Sequence, residues 1–244
     1  MNMYDEIINF LNQDSIKNHS DLAGIVLLGS FSANQGDGLS DIDIDFIYYK
    51  ENYVPVPLPE NNWEWDLNEM LLENYPGFDR DHWQCGAYVT AEIIFDKTDG
   101  TIKNSINELV LPGFDYFKAN LGNILDGYYN AYYRAMKCLR RDNIFGAHIM
   151  ACMSMDILNT MLYQINGMLQ TYPNRLPATI HKMDILPLPK DELFAHMNNV
   201  AIDADGQSQV QLYLAVKELM ARLGYQQIYE DWEGKLDKEI ELLK

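Results

Sequence analysis

A short apolar, β-prone stretch, Ile25-Val26-Leu27-Leu28, runs into Gly29-Ser30, and after a spacer of ten residues the chain continues Asp41-Ile42-Asp43-Ile44-Asp45-Phe46. Strict alternation is the period of a β-strand, so Ile42, Ile44 and Phe46 share one face and Asp41, Asp43 and Asp45 share the other. Few folds tolerate such a strand. Its apolar face demands a core, whereas its acidic face would be rejected by one, because an unpaired buried carboxylate is costly. The stretch therefore reads as a site for metal and phosphate.

Strand residues two apart are separated by roughly 6.5 to 7 Å, so Asp41 and Asp43 can lean onto one divalent cation, while Asp45 lies about twice as far from Asp41. Carboxylates this close raise one another's pKa unless a cation neutralises them. Magnesium suits the pair, being hard, oxygen-seeking and ready to share substrate phosphates. Gly29-Ser30 reads as a strand-to-helix turn whose backbone N–H groups and Ser30 hydroxyl can hold phosphate oxygens. A metal bridge reconciles acids with phosphates, and together they point to a nucleoside triphosphate.

Gly29-Ser30, the spacer and Ser40-Asp41-Ile42-Asp43 are similar to the signature of the polymerase-beta-type nucleotidyltransferase superfamily, especially the aminoglycoside and lincosamide nucleotidyltransferases. The resemblance implies an α+β chain: an N-terminal nucleotidyltransferase fold, with a small mixed sheet and helices, followed by a C-terminal α-helical bundle. It also implies that Asp41 and Asp43 hold magnesium, that Gly29, Ser30 and Ser40 belong to the phosphate-binding turn and strand, and that a third acid arrives from a later strand. Glu92 is the expected third acid. It lies in the β-rich run Tyr88 to Phe95, where an acid has no other reason to be buried, and Asp96 is its substitute.

One departure from the family pattern is plain. Many relatives carry an arginine shortly after Gly-Ser, whereas this chain has Phe31, Ser32, Ala33 and Asn34. Phosphate binding then needs a basic residue from elsewhere. The segment Tyr172 to Pro177 loosely resembles a basic loop in the second domain of related enzymes, which makes Arg175 and Lys182 the expected phosphate contacts. Arg134, Lys137 and Arg141 recur at helical spacing on one face.

The net charge of −18 disfavours nucleic acid as a partner and favours a cationic acceptor. Three cysteines, Cys85, Cys138 and Cys152, lack metal-like spacing and are odd in number, which suits reduced thiols and a cytoplasmic setting. Neither a secretory signal nor a membrane span is expected, since the apolar segment Ile144 to Leu169 is interrupted by polar residues and reads as a buried bundle helix.

Residues 1–112 form the expected catalytic domain and 113–244 an α-helical substrate-binding domain, with Pro112-Gly113 as the boundary. Helices are expected over Tyr4 to Leu11, Trp63 to Glu73 and Thr101 to Val110, and a strand over Ala87 to Phe95, with the helices on one side of the sheet. Beyond the boundary, two long helices, Phe114 to Arg141 and Asn143 to Leu169, precede shorter ones near Asp191 to Asn199, Ser208 to Leu223 and Trp232 to Leu243. The tyrosines at 128, 129, 132 and 133 read as packing residues or as the wall of a sugar-shaped cleft, and Asp156 as part of a buried pair, of a solvated stripe with Asn159 and Gln164, or as a cleft residue gripping an amino group of the acceptor.

The activity implied is transfer of AMP from ATP to a hydroxyl of a small cationic acceptor such as an aminoglycoside, with pyrophosphate released, by a monomer or homodimer. Glu92 would ligate a second metal or take the hydroxyl proton. The alternatives are a regulatory or antitoxin-like module that binds or modifies a protein, and a nucleotide binder without turnover.

Overall fold

The computed structural model describes residues 2–77, 79–80 and 84–241. They divide into two compact units, Met1–Pro112 together with Asn174–Thr179, and Gly113–Pro173 together with Ile180–Lys244. The first is a mixed α+β unit and the second is helical.

In the first unit, α1 (Met3–Leu11) and α2 (Asp14–Lys17) precede β1 (Leu22–Leu27), α3 (Gly29–Ser32), β2 (Ile42–Tyr48) and β3 (Trp65–Leu71). α4 (Cys85–Tyr88), β4 (Glu92–Asp96) and α5 (Thr101–Val110) complete the N-terminal part. The sheet has the order β3-β2-β1-β4, with β1 antiparallel to both its neighbours and β2 parallel to β3.

Alternation in β2 sorts its side chains as the sequence demands. Ile42, Ile44 and Phe46 are fully buried in one cluster with Ile25 and Leu27 of β1 and with Ile7 and Leu11 of α1. The opposite face carries Asp43 and Asp45. There Ile102 of α5 lies so close to Gly24 that a Cβ would meet its Cδ1 at 2.4 Å. Helices therefore cover both faces of the sheet, not one.

Two local expectations are corrected. Trp63 to Glu73 is not a helix; its middle is β3. Trp65-Asp66-Leu67-Asn68 alternates with period two, and pairing with β2 satisfies its backbone, while Trp65 and Leu67 pack against the apolar cluster. The run Ala87 to Phe95 is a strand only from Glu92 onward, because residues 85–88 close a helical turn and Ala91 N–H bonds back to Tyr88 O.

In the second unit, α6 (Phe114–Leu139) and α7 (Ile144–Ile165) pack along each other. The Asn143 side chain caps the start of α7 by accepting from Gly146 N–H at 3.0 Å. α7 ends before the expected Leu169 because Gly167 takes φ +68° and Asn166 Nδ2 donates to Leu162 O at 2.8 Å. By length and composition α7 could cross a membrane; here Ala151, Leu158 and Leu162 are fully buried in the bundle. After α8 (Leu176–Thr179), which belongs to the first unit, come α9 (Lys190–Asp203), α10 (Gly206–Arg222), α11 (Gln226–Glu230) and α12 (Lys235–Glu241). The last stands where a helix to Leu243 was expected, and Leu243 lies outside the described residues.

Tyr128, Tyr129 and Tyr132 are buried, and Tyr132 stacks on Tyr213 with ring centroids 4.5 Å apart. Asp237 accepts from Tyr213 at 2.7 Å and pairs with Lys217, while Arg140 grips Glu239 through two N–H donors at 3.2 Å, so α12 is held by charged contacts on α6 and α10. Asp156 is exposed, as a solvated stripe requires, but Asn159 is buried rather than sharing that stripe.

Asp45 is fully buried. Its carboxylate accepts from Tyr88 OH at 2.6 Å, Tyr75 OH at 3.2 Å and Asn68 Nδ2 at 3.1 Å. Burial raises its pKa, and the three donors only partly oppose the shift. Asp45→Ala leaves both phenols without this acceptor and is expected to cost roughly 2–4 kcal/mol in urea unfolding. Asp45→Asn is expected to cost less. Because the native pKa is raised, the ionised wild type carries a penalty that disappears as pH falls through that value to about 4. Over this range the wild type should gain stability relative to Asp45→Asn.

Candidate functional site

The site grows out of the joint between β1 and α3. Leu28 N–H donates to Asp43 O at 2.9 Å, which pins the end of β1 to β2, and the chain then turns at Gly29 with φ +66°. Only glycine is tolerated at this point. A Cβ there would stand 1.7 Å from Asp43 Oδ2, so the missing side chain lets the acid lie directly against the turn. Ser30 Oγ, in the residue after that glycine, is buried and has no hydrogen-bond partner among the described residues.

Asp41 and Asp43 are joined by Asp66. Parallel pairing sets Asp66 opposite Asp43, and one carboxylate oxygen from each of Asp41, Asp43 and Asp66 lies within 4.8 Å of the others. Asp41 and Asp66 are exposed and Asp43 is half-buried. Burial is the first cause of a raised Asp43 pKa, followed by repulsion from Asp41 and then Asp66, with Arg175 pulling the other way. Three oxygen donors with too much negative charge suit a hard divalent cation.

Glu92 is elsewhere. It pairs with Leu27, which pairs with Ile44, so Glu92 shares the face of the apolar cluster, opposite to that of Asp43. There Tyr4 OH donates to both its carboxylate oxygens, at 2.7 and 2.8 Å. The structure does not bring Glu92 to the acidic cluster, and Asp66 stands in the place expected for it. Asp96 is also committed, accepting from Thr98 N–H at 2.7 Å in the turn before α5. Asp66 was legible in principle, since Trp65-Asp66-Leu67-Asn68 alternates as β2 does; reading that stretch as a helix hid it.

Ser40 does not reach toward the turn. Its hydroxyl bonds with Asp37, accepting from Asp37 N–H and donating to Asp37 Oδ1, both at 3.1 Å. Arg175 does belong here. The segment Asn174–Thr179 is part of the first unit, and Gln35 ties it down, donating to Asn174 O at 2.7 Å and accepting from Asn174 Nδ2 at 3.2 Å. Arg175 is buried and acts electrostatically on Asp43, supplying a cation that the residues after Gly29-Ser30 lack. Lys182 belongs to the helical unit.

No family model and no curated protein matches this chain. Among solved structures, a nucleotidyltransferase-like protein from Exiguobacterium sibiricum is similar over 98% of this chain and 76% of that chain, with 11% identity and a TM-score of 0.35.

The two candidate third ligands give a sharp test. In calorimetric titrations with magnesium, Asp43→Asn and Asp66→Asn should each weaken binding by roughly tenfold or more. Glu92→Gln should leave it unchanged, because its carboxylate faces Tyr4. Ion binding needs ionised Asp43, so affinity should fall as pH is lowered through that residue's raised pKa, with proton release on binding.

Proposed function

We propose that this protein is a magnesium-dependent nucleotidyltransferase that moves AMP from ATP to a hydroxyl of a small cationic acceptor, such as an aminoglycoside or another antibiotic, and releases pyrophosphate. One observation carries the reading: Asp41, Asp43 and Asp66 converge beside a Gly-Ser turn whose serine hydroxyl is buried and has no hydrogen-bond partner among the described residues. The donor set fits magnesium, which Asp41 and Asp43 would hold together with one carboxylate oxygen of Asp66, leaving that residue's other oxygen free. When bound, the ion supplies charge neutralisation and alignment for the triphosphate.

The chain's own groups then have separate tasks. Backbone N–H groups at Gly29 and Ser30 and the Ser30 hydroxyl hold the distal phosphates, and Arg175 adds positive charge. The acceptor's hydroxyl oxygen attacks the α-phosphorus, the bond from that phosphorus to the oxygen bridging the β-phosphate breaks, and pyrophosphate leaves. The hydroxyl proton passes to a carboxylate oxygen of Asp66, which is exposed and adjacent to Asp43. A net charge of −18 supports a cationic acceptor over a nucleic acid.

Incubation with ATP labelled at the α-phosphate and a panel of aminoglycosides and other hydroxyl-bearing amines should yield labelled product and an equal amount of pyrophosphate. Asp43→Asn and Asp66→Asn should each reduce turnover by roughly a hundredfold or more while unfolding curves stay near wild type. Unchanged turnover in Asp66→Asn would remove that residue from the reaction.

A further inference from the structure

The helical unit contains a cleft of about 620 Å³, a size typical of small-molecule sites. Arg134, Lys137, Arg141 and Lys235 line it beside Tyr133 and Trp232. The chain has 18 basic residues against 36 acidic ones, so four cations around one cleft run against its overall charge.

Nearby cations are already neutralised. Arg140 is paired with Glu239, Lys217 with Asp237, and Lys235 itself lies 3.6 Å from Glu233. The other three in the cleft are not. Arg134 Nε donates to the neutral Asn130 side chain at 2.9 Å, and Lys137 Nζ lies 5.4 Å from the centroid of the Tyr133 ring. Among the described residues, Arg134, Lys137 and Arg141 have no carboxylate within ion-pair distance. Positive side chains held together without counter-charges repel one another, and a multiply charged anion would relieve that repulsion.

The aromatic wall narrows the ligand class. Tyr133 and Trp232 lie with ring centroids 5.7 Å apart, and Trp232 is held in place as its Nε1–H donates to Asp126 at 3.0 Å. Lys137 occupies the Tyr133 ring, so the indole is the surface left for a flat group. We propose that this cleft binds a nucleoside polyphosphate, with its phosphates on Arg134, Lys137 and Arg141 and its base against Trp232. The cleft lies wholly within the helical unit and uses none of the acidic cluster, so this site is distinct from the proposed catalytic one.

Calorimetry and tryptophan fluorescence on the full chain, with divalent ions removed by chelator, separate the two sites. ATP should bind and perturb the fluorescence, sodium tripolyphosphate should bind more weakly, and adenosine should not bind detectably. The charge reversals Arg134→Glu with Lys137→Glu should weaken ATP by roughly tenfold or more, as should the milder pair Arg134→Gln with Arg141→Gln, with circular dichroism unchanged. Trp232→Phe should remove the fluorescence response, and Asp43→Asn should leave metal-free binding intact. Absence of ATP binding, binding indifferent to both pairs of substitutions, or binding lost in Asp43→Asn would overturn the proposal. Tripolyphosphate binding as tightly as ATP, with Trp232 silent, would overturn its nucleoside part.

Discussion

Parallel pairing of β2 with β3 is the constraint on which the candidate site depends. That register sets Asp43 against Asp66 and Asp45 against Asn68. Like charges directly opposite on neighbouring strands are destabilising, so the first pair is a cost that packing on the other face must offset. Ile42, Ile44 and Phe46 provide that packing with β1 and α1. The same alternation that builds the core therefore forces the acids together, and the accumulated charge is what a divalent cation would relieve.

Along β2, two neighbouring acids meet opposite fates. Asp43 is left half-buried beside the glycine turn, with an attractive cation in Arg175 but two repelling acids. Asp45, one pleat further, is sealed in and answered by two phenols and an amide. The first keeps partial access to solvent, as a ligand must. The second is a structural carboxylate, held by hydrogen bonds in a place where water cannot reach it.

Several parts of this arrangement were readable in the chain. The glycine turn and the alternation of Asp41 to Phe46 located the strand, its buried face and two of the three clustered acids, because period two leaves no freedom in which side a residue takes. The long helices of the second unit followed from their apolar spacing. Glu92 shows where such reading stops. Its strand and its acidity were visible, but the face it occupies depends on its pairing with Leu27, and that pairing turns it toward Tyr4. Asp66 is the converse, an acid whose alternating neighbours announced a strand but whose partner strand lies more than twenty residues earlier in the chain.

By itself the sequence determined the local periods: which residues alternate, where glycine permits a left-handed turn, and which helices have an apolar side. Such properties depend only on neighbours a few positions away. Tertiary structure decided which strand lies beside which, so it alone chose Asp66 over Glu92, brought Arg175 to the acids across a long loop of chain, and gathered Arg134, Lys137 and Arg141 with Trp232 around one cleft. Contacts between distant segments are set by register and packing of whole elements, and no short window of sequence contains that information.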